Sequence, residues 1–146
     1  MIRPAKFSDI PAMMRIRSSV KENRLTDPAK VQPHHCREML STGPGWVCEV
    51  HNTIVGFAIP DAQRGSVWAL FVDPEHERKG IGRRLHDTMV EWLFAAGNAC
   101  IWLTTDPDTR AERFYLAAGW QQAGVTDEGE IRFELTPQRF SRRTVL

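Results

Sequence analysis

Apolar residues recur every three or four positions in one long segment of the chain and in several shorter ones. In Gly80–Ala96 they form a single stripe that stops before Gly97, which predicts an amphipathic helix. Weaker patterns of the same period predict one helix that Ser8 caps, one that begins near Pro28 and a short one over Thr109–Ala118. The pattern therefore predicts about four helices.

Short runs rich in β-branched and aromatic residues lie between these helices and predict strands. The predicted strands cover residues 1–6, Trp46–Val50, Thr53–Ile59, Ser66–Val72, Ala99–Thr105, Trp120–Val125 and Glu130–Leu135. His51 and Asn52 join the second strand to the third, which predicts a hairpin. This order of elements predicts an α/β or α+β fold with one mixed central sheet of about seven strands. Because 146 residues is a typical domain size, we expect residues 1–146 to form a single domain.

The overall charge and hydropathy of the chain exclude several classes of function. Its 19 Lys and Arg against 18 Asp and Glu leave a formal net charge of +1, so no global field attracts nucleic acid or an anionic membrane. The apolar runs are too short to span a bilayer, and residues 1–8 lack the apolar centre of a secretion signal. We therefore expect a cytoplasmic protein that binds neither nucleic acid nor membrane.

The cysteines and histidines do not form a metal or disulfide pattern. Cys36, Cys48 and Cys100 contain no C-x-x-C pair, which favours three free thiols in a reducing compartment, the last two buried in strands. His34, His35 and Cys36 are adjacent, and adjacent residues on a helix point about 100° apart, so they do not converge on one ion. We therefore expect no metal site.

A glycine-rich basic segment, Arg78–Arg84, lies between a predicted strand and the start of the long helix. Gly80 and Gly82 let backbone N–H groups approach an anion, and the helix start adds the positive end of a dipole. Four basic side chains accompany them, Arg78, Lys79, Arg83 and Arg84. The segment predicts a phosphate or diphosphate site, although a structural turn beside solvated arginines fits the same residues. Neither the P-loop pattern nor the G-x-G-x-x-G dinucleotide pattern is present.

The wider segment Phe71–Leu85 resembles the acetyl-CoA-binding signature of the GNAT superfamily of N-acetyltransferases. A second segment, Asp108–Trp120, resembles the later motif of that family, which runs from Asn through Ala and Tyr to Gly and an aromatic residue. Two positions depart from the family pattern. Glu77 replaces Gln or Arg and should weaken diphosphate binding by the side chain. Asp108 replaces the common Asn, and its carboxylate can cap the helix or accept a hydrogen bond but cannot donate one.

The resemblance implies a V-shaped split between the strands Ser66–Val72 and Ala99–Thr105, which acyl-CoA enters like an extra strand. In such enzymes the backbone of the first strand bonds the pantetheine arm and polarises the thioester carbonyl, and the glycine-rich segment holds the diphosphate. The implied cofactor-binding residues are Leu70, Phe71, Val72, Arg78, Lys79, Gly80, Ile81, Gly82, Arg83 and Asp108.

Tyr115, the only tyrosine, falls on the family position that protonates the departing thiolate, and the resemblance therefore implies that it is the catalytic acid. Its spacing with Ala111, Phe114 and Ala118 also fits a tyrosine that only packs in the core.

The general base and the acceptor pocket are less defined. The two splayed strands contain no carboxylate, which favours an acceptor amine of low pKa or a water relay ending at Glu22, Asp27 or Asp106. Glu22, Asp27 and Trp68 are also candidate acceptor-binding residues. Surface solvation explains the two carboxylates as well, and strand packing explains Trp68 as well.

These features together predict an N-acetyltransferase that passes the acetyl group of acetyl-CoA directly to a primary amine of a small molecule or of a peptide N-terminus. Direct attack in a ternary complex needs no cysteine nucleophile. The alternative is a non-catalytic acyl-CoA-binding or regulatory module, which Glu77, Asp108 and the missing base favour. The tail Arg139–Leu146 is either a frayed end or a contact with a second subunit in a homodimer.

Overall fold

The computed structural model describes residues 1–20 and 31–145, and within them it contains a seven-stranded sheet and five α-helices. The strands are β1 (Ile2–Pro4), β2 (Trp46–Val50), β3 (Thr53–Asp61), β4 (Ser66–Val72), β5 (Ile101–Thr105), β6 (Gln121–Val125) and β7 (Ile131–Leu135). The helices are α1 (Ile10–Ser19), α2 (Pro33–Thr42), α3 (Ile81–Ala95), α4 (Arg110–Ala117) and α5 (Pro137–Val145). Short 3₁₀ turns at Phe7–Asp9 and Pro74–His76 precede α1 and α3.

The sheet is mixed, as the sequence predicts, with the strand order β1-β2-β3-β4-β5-β7-β6. Every neighbouring pair is antiparallel except β4 and β5, which are parallel. The predicted hairpin between β2 and β3 is confirmed. His51 and Asn52 both adopt the left-handed conformation, with φ of 51° and 62°, that two-residue hairpin turns require.

The centre of the sheet is split between its two parallel strands. β3 pairs with β4 at six positions and β5 pairs with β7 at five, whereas β4 and β5 share only the pair Ser66 and Trp102. A bulge in β4 accompanies the split: Ala69 pairs with Ile59 and Val67 with Pro60, so Trp68 has no partner in β3. Beyond Ser66, the described structure therefore gives β4 no strand partner on its β5 side.

Two hydrophobic clusters cover the two faces of the sheet. The larger cluster joins the sheet to α3, α4 and α5, and the smaller one joins it to α1 and α2. The stripe predicted for α3 is confirmed, since Ile81, Leu85, Met89 and Leu93 are all buried in the larger cluster. A Cβ at Gly56 of β3 would lie 2.9 Å from Leu85 Cδ1, so glycine at this position lets α3 approach the sheet. This packing fixes the N-terminus of α3 at the end of β4.

Several local predictions are wrong at the ends of elements. Ser8 does not cap α1, because a 3₁₀ turn begins at Phe7 and Asp9 is the residue that precedes the helix. Cys100 is exposed rather than buried in a strand, since β5 begins one residue later. The tail is not frayed up to residue 145, because Pro137–Val145 forms a fifth helix whose Phe140 packs against Phe94 at 6.0 Å between ring centroids, and its contact with a second subunit stays a prediction.

Arg3 and Asp9 form a hydrogen-bonded ion pair that ties β1 to the start of α1. Two guanidinium nitrogens donate to the two carboxylate oxygens, each at 2.9 Å, and the Lys6 N–H donates to the same carboxylate at 2.8 Å. The Arg3 hydrogen bonds are the largest cause that holds the pKa of Asp9 below its usual range. Such a group stabilises the fold above its unfolded pKa, and this contribution is lost as the pH falls through the folded pKa.

We therefore expect Asp9→Asn to lower the free energy of unfolding at pH 7 by about 1–3 kcal/mol. The difference from the wild type should shrink as the pH falls from about 4, near the unfolded pKa, through the lower folded pKa, below which the wild-type carboxyl is also neutral. Urea unfolding at pH 7 and pH 3 measures both values. A difference that stays the same at the two pH values would contradict the role of the charge.

Candidate active site

A cleft of about 180 Å³ lies between the end of β4 and the first turns of α3 and α4. Seven of the residues predicted to bind the cofactor line it: Phe71, Val72, Arg78, Gly80, Ile81, Gly82 and Arg83. The other three do not, since Leu70 is buried in the core and Lys79 and Asp108 are exposed outside the cleft. The cleft therefore brings the end of the open strand and the glycine-rich segment together.

The glycine-rich segment turns sharply before α3. Gly80 caps the helix in the left-handed conformation, with φ of 79°, and apart from its chain neighbours no atom of the described residues lies within 4 Å of the position where its Cβ would be. Arg78 has φ of 63°, a conformation that costs a non-glycine residue about 1 kcal/mol. The first N–H groups of a helix lack intrahelical partners and carry the positive end of its dipole. This arrangement leaves an open, electropositive helix end that can bind an anion.

Arginine side chains from two helices reach the cleft. Arg83 of α3 donates from Nη2 to the Ala117 carbonyl at 3.3 Å, and its Nε lies 3.9 Å from an oxygen of Asp87. Arg110, the first residue of α4, lies with its Nη1 3.6 Å from a carboxylate oxygen of Glu77. Glu77 therefore contributes a negative charge to the cleft, and an arginine from the opposite wall compensates it.

Tyr115 is buried, with 1% of its surface exposed, and it is not among the residues that line the cleft. Its ring lies 5.1 Å from that of Phe114, 5.6 Å from that of Trp120 and 6.1 Å from that of His86, measured between centroids. Burial raises the pKa of the phenol, so Tyr115 keeps its proton over the whole working pH range. The neighbouring Phe114 lines the cleft. Tyr115 therefore packs in the core, as its spacing predicted, and its role as an acid stays a prediction.

The model of the Acetyltransferase (GNAT) family matches residues 10–120, which is most of the chain. The chain belongs to the GNAT acetyltransferase family. No protein of curated function matches the sequence significantly.

Solved GNAT structures share the fold of this family member at low sequence identity. The ribosomal-protein-S18-alanine N-acetyltransferase from Escherichia coli is 20% identical, with a TM-score of 0.71 over 93% of this chain and 92% of that one. The PaiA N-acetyltransferase from Thermoplasma acidophilum, in complex with coenzyme A, is 17% identical, with a TM-score of 0.70 over 93% and 99%. YncA from Salmonella typhimurium, with its cofactor acetyl-CoA, is 19% identical, with a TM-score of 0.68 over 93% and 92%.

The later motif of this GNAT protein begins with a helix cap that differs from the predicted one. Thr109, not Asp108, caps α4, since its hydroxyl accepts a hydrogen bond from the Glu112 N–H at 3.3 Å. The Glu112 carboxylate in turn accepts one from the Asp108 N–H at 3.1 Å. This is a variant of the Thr-x-x-Glu capping box, a signal that the sequence contains. Asp108 itself is left-handed, with φ of 60°, a conformation that Asn and Asp tolerate best among non-glycine residues.

The candidate acceptor residues of this GNAT protein are described only in part. Glu22 and Asp27 lie outside the described residues. Trp68 is half-buried at the β4 bulge, where its ring meets the edge of the His35 ring at 6.4 Å between centroids. On β5, the Thr104 hydroxyl donates to the Glu130 carboxylate at 3.5 Å. The base and the acceptor contacts stay predictions.

Sequence reasoning missed four residues that line the cleft, Val20, His76, Arg110 and Phe114. His76 Nδ1 is buried and has no hydrogen-bond partner among the described residues. Arg110 was recognisable as the first helical position after a Thr-x-x-Glu cap, a position from which a side chain points back past the helix start.

Within the described ranges there is no group of three or more His, Cys, Asp or Glu residues that could hold a metal. The helices of the same ranges include none with the length and hydropathy that a membrane span requires.

The cysteines differ in their exposure, which predicts a selective thiol reaction. All three are free, but Cys36 and Cys48 are fully buried, and burial raises the pKa of Cys36 to about 11. We expect Ellman's reagent to label one thiol, Cys100, in the native protein and all three after unfolding. Alkylation of Cys100 should leave acetyl transfer unchanged, because Cys100 lies outside the cleft. Loss of turnover on alkylation would contradict this independence of Cys100 from the reaction.

Glu77 places a carboxylate in the cleft at the position where the family has Gln or Arg. Glu77→Gln keeps the size of the side chain and removes the charge that faces the expected phosphates, so we expect a severalfold lower Kd for acetyl-CoA. Glu75→Gln, on the exposed 3₁₀ turn two residues earlier, removes the same charge outside the cleft and is the matched control. Calorimetry measures both variants. A higher Kd for Glu77→Gln would mean that the ion pair with Arg110 supports binding.

Proposed function

We propose that the protein is an N-acetyltransferase that transfers the acetyl group of acetyl-CoA to a primary amine, with residues 1–146 acting as one acyl-CoA N-acyltransferase domain. The observation that carries the proposal is that β4 pairs with β5 only at Ser66, so that its end at Phe71 and Val72 lines a cleft that leads to a glycine-capped, electropositive helix start. An extended pantetheine arm fits beside the end of β4 as an added strand, and a diphosphate fits at the start of α3.

The residues of the cleft fit acyl-CoA chemically. Backbone N–H groups at the start of α3 and the guanidinium groups of Arg78 and Arg83 would hold the diphosphate. Arg110 is a third cation within the same walls. The backbone of Leu70, Phe71 and Val72 would bond the pantetheine arm and polarise the thioester carbonyl. Acetyl-CoA supplies the activated acetyl group.

The reaction that we propose is a direct acyl transfer. The amine nitrogen attacks the thioester carbonyl carbon, the C–N bond forms and the C–S bond breaks. Before the attack, a water relay to a carboxylate takes one proton from the acceptor ammonium, because only the neutral amine has a lone pair. Tyr115 gives its proton to the leaving thiolate, and the second proton that the nitrogen loses as it becomes an amide passes through water and restores the Tyr115 phenol. Burial keeps the Tyr115 phenol protonated before the step, as a proton donor requires.

The acceptor that we propose is a small-molecule amine or a peptide N-terminus. At pH 7, deprotonation costs about 4.6 kcal/mol for a lysine amine but only about 1.1 kcal/mol for an α-amino group. A site without a carboxylate in its splayed strands therefore favours the α-amino group. The E. coli structural neighbour is itself an alanine N-acetyltransferase of a ribosomal protein, which supports the same choice. Free thiols at all three cysteines suit the reducing cytoplasm that this proposal includes.

A thiol-release assay tests the proposal. Acetyl-CoA is offered with polyamines, amino acids, aminoglycosides and peptide N-termini, and cofactor binding is measured by calorimetry in parallel. CoA release that depends on an acceptor is the expected result. Binding without release for any acceptor would favour the non-catalytic acyl-CoA-binding module, and no binding would overturn the assignment of the cleft.

A further inference from the structure

A fully buried histidine, His86, connects the cleft helix to the protein core and takes no part in the reaction above. It lies on α3, four residues after Gly82, and 0% of its surface is exposed. Its Nε2 accepts a hydrogen bond from Trp120 Nε1 at 2.9 Å, and its Nδ1 lies 2.8 Å from Asp87 Oδ1. A polar ring buried at this depth is bonded on both nitrogens.

These two contacts determine the tautomer of His86. An indole N–H only donates, so Nε2 must present its lone pair to Trp120. The single ring proton therefore lies on Nδ1, from which it is donated to the Asp87 carboxylate. A doubly protonated ring would place two N–H groups against each other at the Trp120 contact. The imidazole is thus a neutral link between a core indole and a carboxylate on the helix surface.

The chain of contacts continues from Asp87 to the cleft. Arg83 Nε lies 3.9 Å from the same Asp87 oxygen that faces His86, which is an ion pair too long for a hydrogen bond, and Arg83 Nη2 donates to the Ala117 carbonyl of α4 at 3.3 Å. Arg83 lines the cleft. The order Trp120, His86, Asp87, Arg83 therefore leads from a fully buried side chain to a half-exposed cation at the proposed diphosphate site.

We propose that His86 is a positioning residue: its hydrogen bond fixes the Asp87 carboxylate, and the carboxylate holds the Arg83 guanidinium where it contacts the diphosphate of acyl-CoA. This inference rests on the proposed function, because it takes acetyl-CoA as the ligand. A free arginine side chain loses much rotamer freedom when it binds an anion. Holding it in place during folding removes that cost from the binding step.

Two substitutions of His86 separate its two hydrogen bonds. The amide of asparagine can replace Nδ1–H as a donor to Asp87, and that of glutamine can replace Nε2 as an acceptor for Trp120. We expect His86→Gln to raise the Kd for acetyl-CoA about tenfold and His86→Asn to retain near wild-type affinity. Asp87→Asn, on a partly exposed side chain, should act like His86→Gln even if the buried substitution impairs folding.

A double-mutant cycle with Arg83→Met shows whether the effect passes through Arg83. If it does, His86→Gln adds no further loss of acetyl-CoA affinity once Arg83 is gone. Acetyl-pantetheine, which lacks the diphosphate, should show the same KM with every variant. A nitrogen NMR spectrum of the imidazole should show the proton on Nδ1.

The outcomes are distinguishable from a failure of the proposed function. Additive losses in the cycle, an equal loss with acetyl-pantetheine, an unchanged Kd for both His86→Gln and Asp87→Asn, or a proton on Nε2 would each overturn the positioning role while wild-type binding stands. A wild-type protein that binds no acetyl-CoA would overturn the proposed function, and the positioning role with it.

Discussion

Gly82→Glu should abolish acetyl-CoA binding and leave the fold intact. Gly82 is the second residue of α3 and lines the cleft, so the new side chain enters the space proposed for the diphosphate. Its carboxylate faces the phosphates at close range, which we expect to raise the Kd about 100-fold or more. The helix itself gains from the change, because glycine is a poor helix former and a negative charge suits the first turn.

Calorimetry with acetyl-CoA measures the Kd, and thermal unfolding shows that the variant is folded. Ala96→Glu is the matched control, since it adds the same charge at the exposed opposite end of the same helix. Gly82→Ala adds only a methyl group and separates the effect of backbone freedom from that of charge. An unchanged Kd for Gly82→Glu would mean that the glycine-rich segment is only a structural turn.

Tyr115→Phe should reduce turnover by about 100-fold or more while the Kd for acetyl-CoA changes little. The hydroxyl is the only group removed, and the ring contacts with Phe114, Trp120 and His86 are kept. The proton of Tyr115 matters when the C–S bond breaks, so its loss affects kcat rather than binding. Thiol release with the best acceptor gives kcat, and calorimetry gives the Kd.

The alternative role of Tyr115 leads to a different result. A tyrosine that only packs in the core would leave kcat unchanged when it becomes phenylalanine, and that outcome would exclude the acid assignment. The pH profile adds a second criterion. Because burial raises the pKa of Tyr115, turnover should not fall through ionisation of the phenol at alkaline pH up to about pH 10.

Local patterns were sufficient for the elements whose burial is periodic. α3 was predictable because Ile81, Leu85, Met89 and Leu93 repeat at helical spacing, and all four are buried. α5 was not predicted, because its sequence is polar and, among residues 137–142, whose burial is described, Phe140 is the one buried hydrophobic residue. The split between β4 and β5 depends on how far the two strands stay paired. The alternation of apolar residues does not determine this pairing, so the split was expected only from the family resemblance.

The residues of the candidate site also differ in how far the sequence could predict them. Its glycines and arginines were predictable because they are contiguous in Arg78–Arg84. The ion pair of Glu77 with Arg110 was not, because the two residues belong to different elements and meet only across the cleft. The hydrogen bond from Trp120 to His86 likewise joins residues 34 positions apart. Contacts of this kind exist only once the tertiary fold has formed.

The split also divides the sheet into two antiparallel halves that are consecutive in sequence. Strands β1–β4 form one antiparallel unit and β5–β7 another, and a single parallel pair joins them within the described structure. Each half contains strands that pair with their neighbours in sequence, β2–β3 and β3–β4 in the first and β6–β7 in the second, and such local pairs form early. A ligand that bridges the gap would bind only when both halves are formed and correctly placed. Occupancy of the cleft would therefore determine how cooperatively the two halves unfold.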